Sequence, residues 1–167
     1  FQAVELPWAN VSDTPFKLFK RWIHEGGITT PFIAHWPSVI DGGQIRHEPM
    51  QIIDIAATIY DVGGAAYPAE FSDHAITPIE GESFLAALTQ KAWTREKPIF
   101  VEHEGNRGVR MGDWKGVLPE REGGGLELYD LKNDVGEQED LSGQHPEIAA
   151  RIEQILEASH DVPRNSS

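Results

Sequence analysis

The spacing of apolar positions changes several times along this chain, and each change predicts a different element. Pro31-Phe32-Ile33-Ala34-His35-Trp36 is a short apolar run closed by Pro37. Such a run predicts a strand buried on both faces, of the kind found in a parallel sheet. Asp41-Gly42-Gly43 predicts a turn. From Met50 to Val62 the spacing becomes helical, with Met50, Ile53, Ala57, Ile59 and Tyr60 interleaved by Ile52 and Ile55, and Gly63-Gly64 closes the helix. Strand followed by helix fits the edge of an α/β sheet. Residues 64–82 read as a connection, and 83–90 as a second short helix.

From residue 98 the period shortens to two. Pro98–His103, Gly108–Met111, Trp114–Leu118 and Leu126–Leu131 predict four strands, with Gly112-Asp113 joining the middle two as a hairpin. The pattern from Pro146 to Ala158 is helical again: Ile148, Ala149, Ile152, Ile155 and Leu156 share one face. A helix laid on an antiparallel sheet is an α+β arrangement. Residues 1–30 show no such pattern, and Asn10–Pro15 is rich in turn formers. Asn10-Val11-Ser12 and Asn165-Ser166-Ser167 fit the glycosylation pattern.

Composition narrows the function classes. An apolar fraction of 40% and a charged fraction of 25% read as a soluble globular chain. No apolar run approaches a membrane span. The net charge of −13 disfavours nucleic acid as a main partner, and also electrostatic docking on an anionic membrane. One lysine in a cleft can still bind a small anion. Without cysteine there is no disulfide, no Cys-based zinc site and no thiol nucleophile. The start at Phe1-Gln2-Ala3-Val4 suggests a processed or trimmed chain, and the compartment stays open among periplasmic, secreted and cytoplasmic.

Few residues point to chemistry by themselves. His103 lies between Glu102 and Glu104, but alternation along a strand turns the histidine away from both, so the three do not converge on a metal. Asp130 and Asp134 approach a calcium-loop composition without its glycine and terminal glutamate, so they read as turn and capping residues. The acidic stretch from Glu127 to Asp140 reads as a solvated face.

Five segments, taken in order, carry a family resemblance. Lys20 stands five residues before Glu25-Gly26-Gly27-Ile28-Thr29-Thr30-Pro31, an E-G-G-(I/V)-x-x-P segment preceded by a lysine. Pro49–Thr58 resembles a P-x-x-x-x-D-(I/L)-x-P-T helix with Ala57 in place of proline, and Glu80-Gly81-Glu82-Ser83-Phe84 a D-G-x-S segment with Glu80 in place of Asp. Glu102–Lys115 resembles an E-H-x-G-x-R-A-(V/I)-R-x-G-(D/K)-W-K hairpin, and Glu127–Leu141 an E-L-Y-D-L segment with its following acids. Together they resemble the late part of the type I sulfatases, the arylsulfatase family of the alkaline-phosphatase-like superfamily.

The resemblance implies that residues 1–92 end an α/β core and that 93–167 form a small C-terminal subdomain of antiparallel sheet and terminal helix. It implies hydrolysis of a sulfate ester by the full protein, with Lys20 as catalytic and sulfate-binding residue and with His24 and His103 as secondary substrate contacts. His24 and Glu25 read in the first place as a buried polar turn that holds Lys20, and Lys17 is the alternative register for the lysine. The family's formylglycine, made from a (C/S)-x-P-x-R motif, and its Ca²⁺ ligands have no counterpart in this sequence. The chain alone is then expected to be inactive, with the N-terminal part of the same sulfatase as its partner. An oligomer is compatible with all of this. Two other readings stand beside it: a phosphonate monoester or phosphodiester hydrolase of the same superfamily, and a non-catalytic interaction module.

Overall fold

The computed structural model describes residues 5–89, 91–120 and 124–160. In chain order its elements are helices α1 (Leu6–Ser12), α2 (Glu25–Ile28) and α3 (Ile52–Val62), strands β1 (Glu70–Phe71) and β2 (His74–Ala75), helix α4 (Leu85–Leu88), strands β3 (Ile99–His103), β4 (Asn106–Met111), β5 (Trp114–Leu118) and β6 (Glu127–Asp130), and helix α5 (Pro146–His160). The expected end of the second helix at Gln90 and the glycosylation pattern at Asn165 lie outside the described residues. The chain divides into two compact units: residues up to Pro31 join those from Pro98 onward, and Phe32–Lys97 forms the other.

In the first unit, β3-β4-β5-β6 is an antiparallel meander. Alternation along its strands sorts side chains onto two faces. One face carries Val109, Leu126 and Leu128, packed with Ile152 and Leu156 of α5 and flanked by Met111, Trp114 and Leu118. Gly116 lies under the helix, where a Cβ would come within 2.3 Å of Ile152 Cγ2. The other face carries Val117 and Tyr129, with Val101 at the margin, and it is covered by Ile23 and Ile28 from the segment before Pro31. The four strands and the terminal helix therefore match the sequence reading. The segment at 1–30 does not. Leu6–Ser12 of it form α1, with Pro7 at the first turn, where its missing N–H costs nothing. Its end caps the sheet.

The apolar run at 31–36, which leads into the second unit, is not a strand, which corrects the expected α/β edge. A buried parallel strand needs hydrogen-bonding neighbours and covering layers. Among the described residues every strand pairing is antiparallel, and Phe32 and Ile33 are exposed. The alkaline-phosphatase-like core is not in this chain. The α3 helix is present, and two of its motif residues are structural. Asp54, buried, takes N–H bonds from Gln51 at 2.6 Å and Glu82 at 2.9 Å and pairs with Arg95. Thr58 Oγ1 donates to Asp54 O at 2.8 Å and accepts the Phe84 N–H at 3.1 Å. The connection at 64–82 holds the β1–β2 hairpin, whose turn residues Ser72 and Asp73 both have positive φ (51° and 63°). Ser-Asp is not the Asn-Gly type of pair that announces such a turn, so alternation gave no sign of it.

Candidate functional site

Residues 14–30 fold back on themselves around a glycine pair. The Gly26 N–H donates to Lys17 O at 3.0 Å, and the Gly27 N–H to His24 O at 2.8 Å. A Cβ on Gly26 would lie 2.2 Å from Leu18 O, and one on Gly27 2.0 Å from Trp22 O. Only glycine lets these backbones approach so closely. The close approach is of the chain's own backbone, which settles what the two glycines do locally. Between them and Lys17 the loop passes through Leu18 (φ 63°) and Arg21 (φ 105°), both at positive φ, which L side chains disfavour. Strain of this kind persists only where surrounding contacts over-determine the loop.

Two polar clusters on the second face of the sheet supply those contacts. In the first, Lys115 of β5 is 2% exposed; its Nζ donates to Glu25 Oε1 at 2.7 Å and lies 2.8 Å from Glu137 Oε1. That last contact is an ion pair whose angle falls short of a hydrogen bond. Glu137 Oε2 accepts the Glu25 N–H at 2.7 Å, and Thr29 Oγ1 donates to Glu25 Oε2 at 2.6 Å. Burial pushes the Glu25 carboxyl up, but Lys115, Thr29 and Arg110 together outweigh it and hold it below the usual range.

In the second cluster His24, 3% exposed, faces Glu127 Oε2 of β6 at 2.8 Å. The Tyr129 hydroxyl donates to the same oxygen at 2.5 Å, and Lys17 Nζ donates to that hydroxyl at 2.8 Å. The His24 hydrogen bond lowers the Glu127 carboxyl to about 2, against the opposing pull of burial. A carboxylate only accepts, so His24 Nε2 carries the proton of this bond. Burial, and then Glu127, push the Tyr129 phenol up.

The expected site residues thus separate. Lys20 is exposed and makes no hydrogen bond or ion pair with any described residue. Lys17, the alternative register, is engaged by Tyr129, and Arg21 pairs with Glu104 at 3.3 Å. His24 sits beneath the loop with Nδ1 buried and unpartnered among the described residues. His103 ends β3, exposed, opposite Asn106 and beside the turn that holds Glu104. Among the described residues no group of three His, Asp or Glu side chains forms a cation site.

Lys115, Glu127, Tyr129 and Glu137 were not foreseen as parts of a site. The acidic stretch is also corrected as a solvated face, since Glu127 is partly buried and Glu137 is 0% exposed. Asp130 and Asp134 do serve turns: Asp134 Oδ2 accepts the N–H groups of Gln138 and Glu139 at 2.7 and 2.9 Å. One signal was available. Val117, Tyr129 and Leu131 alternate onto the face opposite Leu128, so apolar side chains mark both faces of the sheet as covered.

The first unit is thus an antiparallel meander with a terminal helix, braced against a glycine-folded loop whose Lys20 has no partner among the described residues. The family described as N-sulphoglucosamine sulphohydrolase, C-terminal, matches residues 16–161, so the chain belongs to that family and is the C-terminal portion of a sulfatase. An uncharacterized sulfatase of Schizosaccharomyces pombe is 31% identical over 146 residues, covering 84% of this chain and 26% of that protein. The N-acetylgalactosamine-6-sulfatase of Sus scrofa is 36% identical over 114 residues, covering 67% of this chain and 20% of that protein. The chain therefore spans about a quarter or less of the length of these relatives. The solved PsFucS1 sulfatase from Pseudoalteromonas sp. shares the fold, with a TM-score of 0.65, 21% identity, and coverage of 87% of this chain and 32% of that one.

Proposed function

We propose that this chain is part of an enzyme that hydrolyses sulfate esters, and that it contributes Lys20 as the ammonium that binds the sulfate group. The observation that carries the reading is the isolation of Lys20. Lys17, Arg21, His24 and Glu25 are all held by internal partners, whereas the Lys20 side chain is exposed and has none among the described residues. A lysine neutralised by a carboxylate is a poor anion ligand, while a free ammonium on a fixed loop stabilises the negative charge that gathers on sulfate oxygens in the transition state. His24 then supports the loop from below, and His103, exposed at the end of β3, would be a further contact at the rim of the sulfate site.

The nucleophile and the calcium of the family would belong to the remainder of the protein, which is also the partner of this chain. That remainder would cover part of the Phe32–Lys97 unit, where Ile33, Ile52, Ile59 and Phe71 are all exposed. Lys20 reads the sulfate and not the carbon skeleton, so an aryl sulfate is a suitable first substrate. In the full-length protein, Lys20→Ala is expected to lower kcat/KM for 4-nitrophenyl sulfate on the order of a hundredfold. Undiminished turnover in that variant would remove Lys20 from the mechanism. A higher rate on an aryl phosphate than on the sulfate would move the enzyme to the phosphate-ester branch.

A further inference from the structure

Lys115 has an environment that stability alone does not account for. Its ammonium is buried between two carboxylates, Glu25 and Glu137, themselves 6% and 0% exposed. An apolar side chain in such a place is often as stabilising as the ions, because desolvation offsets most of the attraction. What the triad does supply is geometry. Glu137 grips both the Lys115 ammonium and the Glu25 backbone N–H, and the turn that carries Glu137 holds it at φ 50°. Glu25 is the first residue of α2, and the next residue, Gly26, bonds Lys17 O and packs against Leu18 O. The chain of contacts runs from β5, through the triad and the glycine, to the strained turn that carries Lys20.

We propose that Lys115, clamped by Glu137, is a positioning residue that sets the Lys20 ammonium relative to the sulfate through Glu25 and Gly26. This rests on the reading of Lys20 as the sulfate ligand. A displaced anion ligand can cost one to two orders of magnitude in rate even when the displacement is about 1 Å.

The test is a double-mutant cycle in the full-length protein between Lys115→Met and Lys20→Ala. The readouts are kcat/KM for 4-nitrophenyl sulfate and the inhibition constant of inorganic sulfate. Glu137→Gln, which keeps an oxygen for the Glu25 N–H, takes the place of Lys115→Met if that variant does not fold. With Lys20 present, the triad variant is expected to lower kcat/KM at least about tenfold and to raise the sulfate inhibition constant; with Lys20→Ala it is expected to change neither by more than about twofold. An equal loss in both backgrounds, or none in either, overturns the proposal, as does failure of both triad variants to fold, which makes the triad a stability element. If Lys20→Ala alone matches the parent, it is the sulfate reading that has failed.

Discussion

Leu128 and Tyr129 are neighbours in β6, yet they belong to different environments. Leu128 packs among apolar side chains, with Ile152 and Leu156. Tyr129 enters one where hydroxyl, imidazole, carboxylate and ammonium groups meet over a small apolar base of Ile23, Val117 and Leu131. The apolar side tolerates small shifts, because dispersion and burial depend weakly on direction. Hydrogen-bonded ions tolerate little, because a donor displaced from its acceptor leaves both buried and unpaired. One face therefore suits holding the sheet together, and the other suits holding a loop in one conformation.

The sharpest way to break this comparison is to cut the apolar face. Ile152→Ala removes most of a fully buried side chain and is expected to cost about 3–4 kcal/mol in urea unfolding, with the sulfate inhibition constant of the full-length protein unchanged. A cost under about 1 kcal/mol would mean that α5 is not the main support of the sheet. Gly27→Ala attacks the other face, since its Cβ would collide with Trp22 O. It is expected to cost about 1–3 kcal/mol and to weaken sulfate binding, while Gly143→Ala, with open space around it, does neither.

Acid separates the faces without a mutation. The Glu127 carboxyl is held at about 2 in the fold against an ordinary 4.5. Its contribution is therefore complete above about 4.5 and fades as pH falls from there toward 2, the unfolded chain taking up the proton first. With its side chain 26% exposed, about 1–2 kcal/mol is the expected size. Urea titrations near pH 5 and pH 3 should show this loss in the parent and a flatter profile in Glu127→Gln; equal slopes in the two would dissolve the His24–Glu127–Tyr129 cluster as an energetic unit. The smallest effect is expected at the surface. Arg21→Gly relieves a φ of 105° and removes an ion pair whose partners are 58% and 37% exposed, so the melting temperature should move by no more than about 0.5 kcal/mol allows.

The parts of the fold that were legible in the sequence are those where period and environment agree. β3 to β6 alternate, and α5 repeats every three to four residues with its apolar stripe on Ile148, Ile152, Ile155 and Leu156. Pro31–Trp36 misled because a continuous apolar run states that a segment wants covering and not what covers it. The second face of the sheet was hidden for the opposite reason. Lys115, Glu127 and Glu137 look like outward polar positions, and only partners distant in sequence make them interior ones. The Lys20 motif itself was legible, while the isolation of its side chain was not.

The sequence by itself determined the family, the four strands, the terminal helix and the lysine ahead of the glycine pair, because motif spacing and local periodicity are properties of neighbouring residues. Only the tertiary structure decided that residues 14–31 close the open face of the sheet, that Lys17 is engaged while Lys20 has no partner among the described residues, and that Lys115 lies buried between two carboxylates. Those facts depend on contacts spanning ninety or more positions, as from Glu25 to Lys115, and the energy of a charge is set by what surrounds it in space.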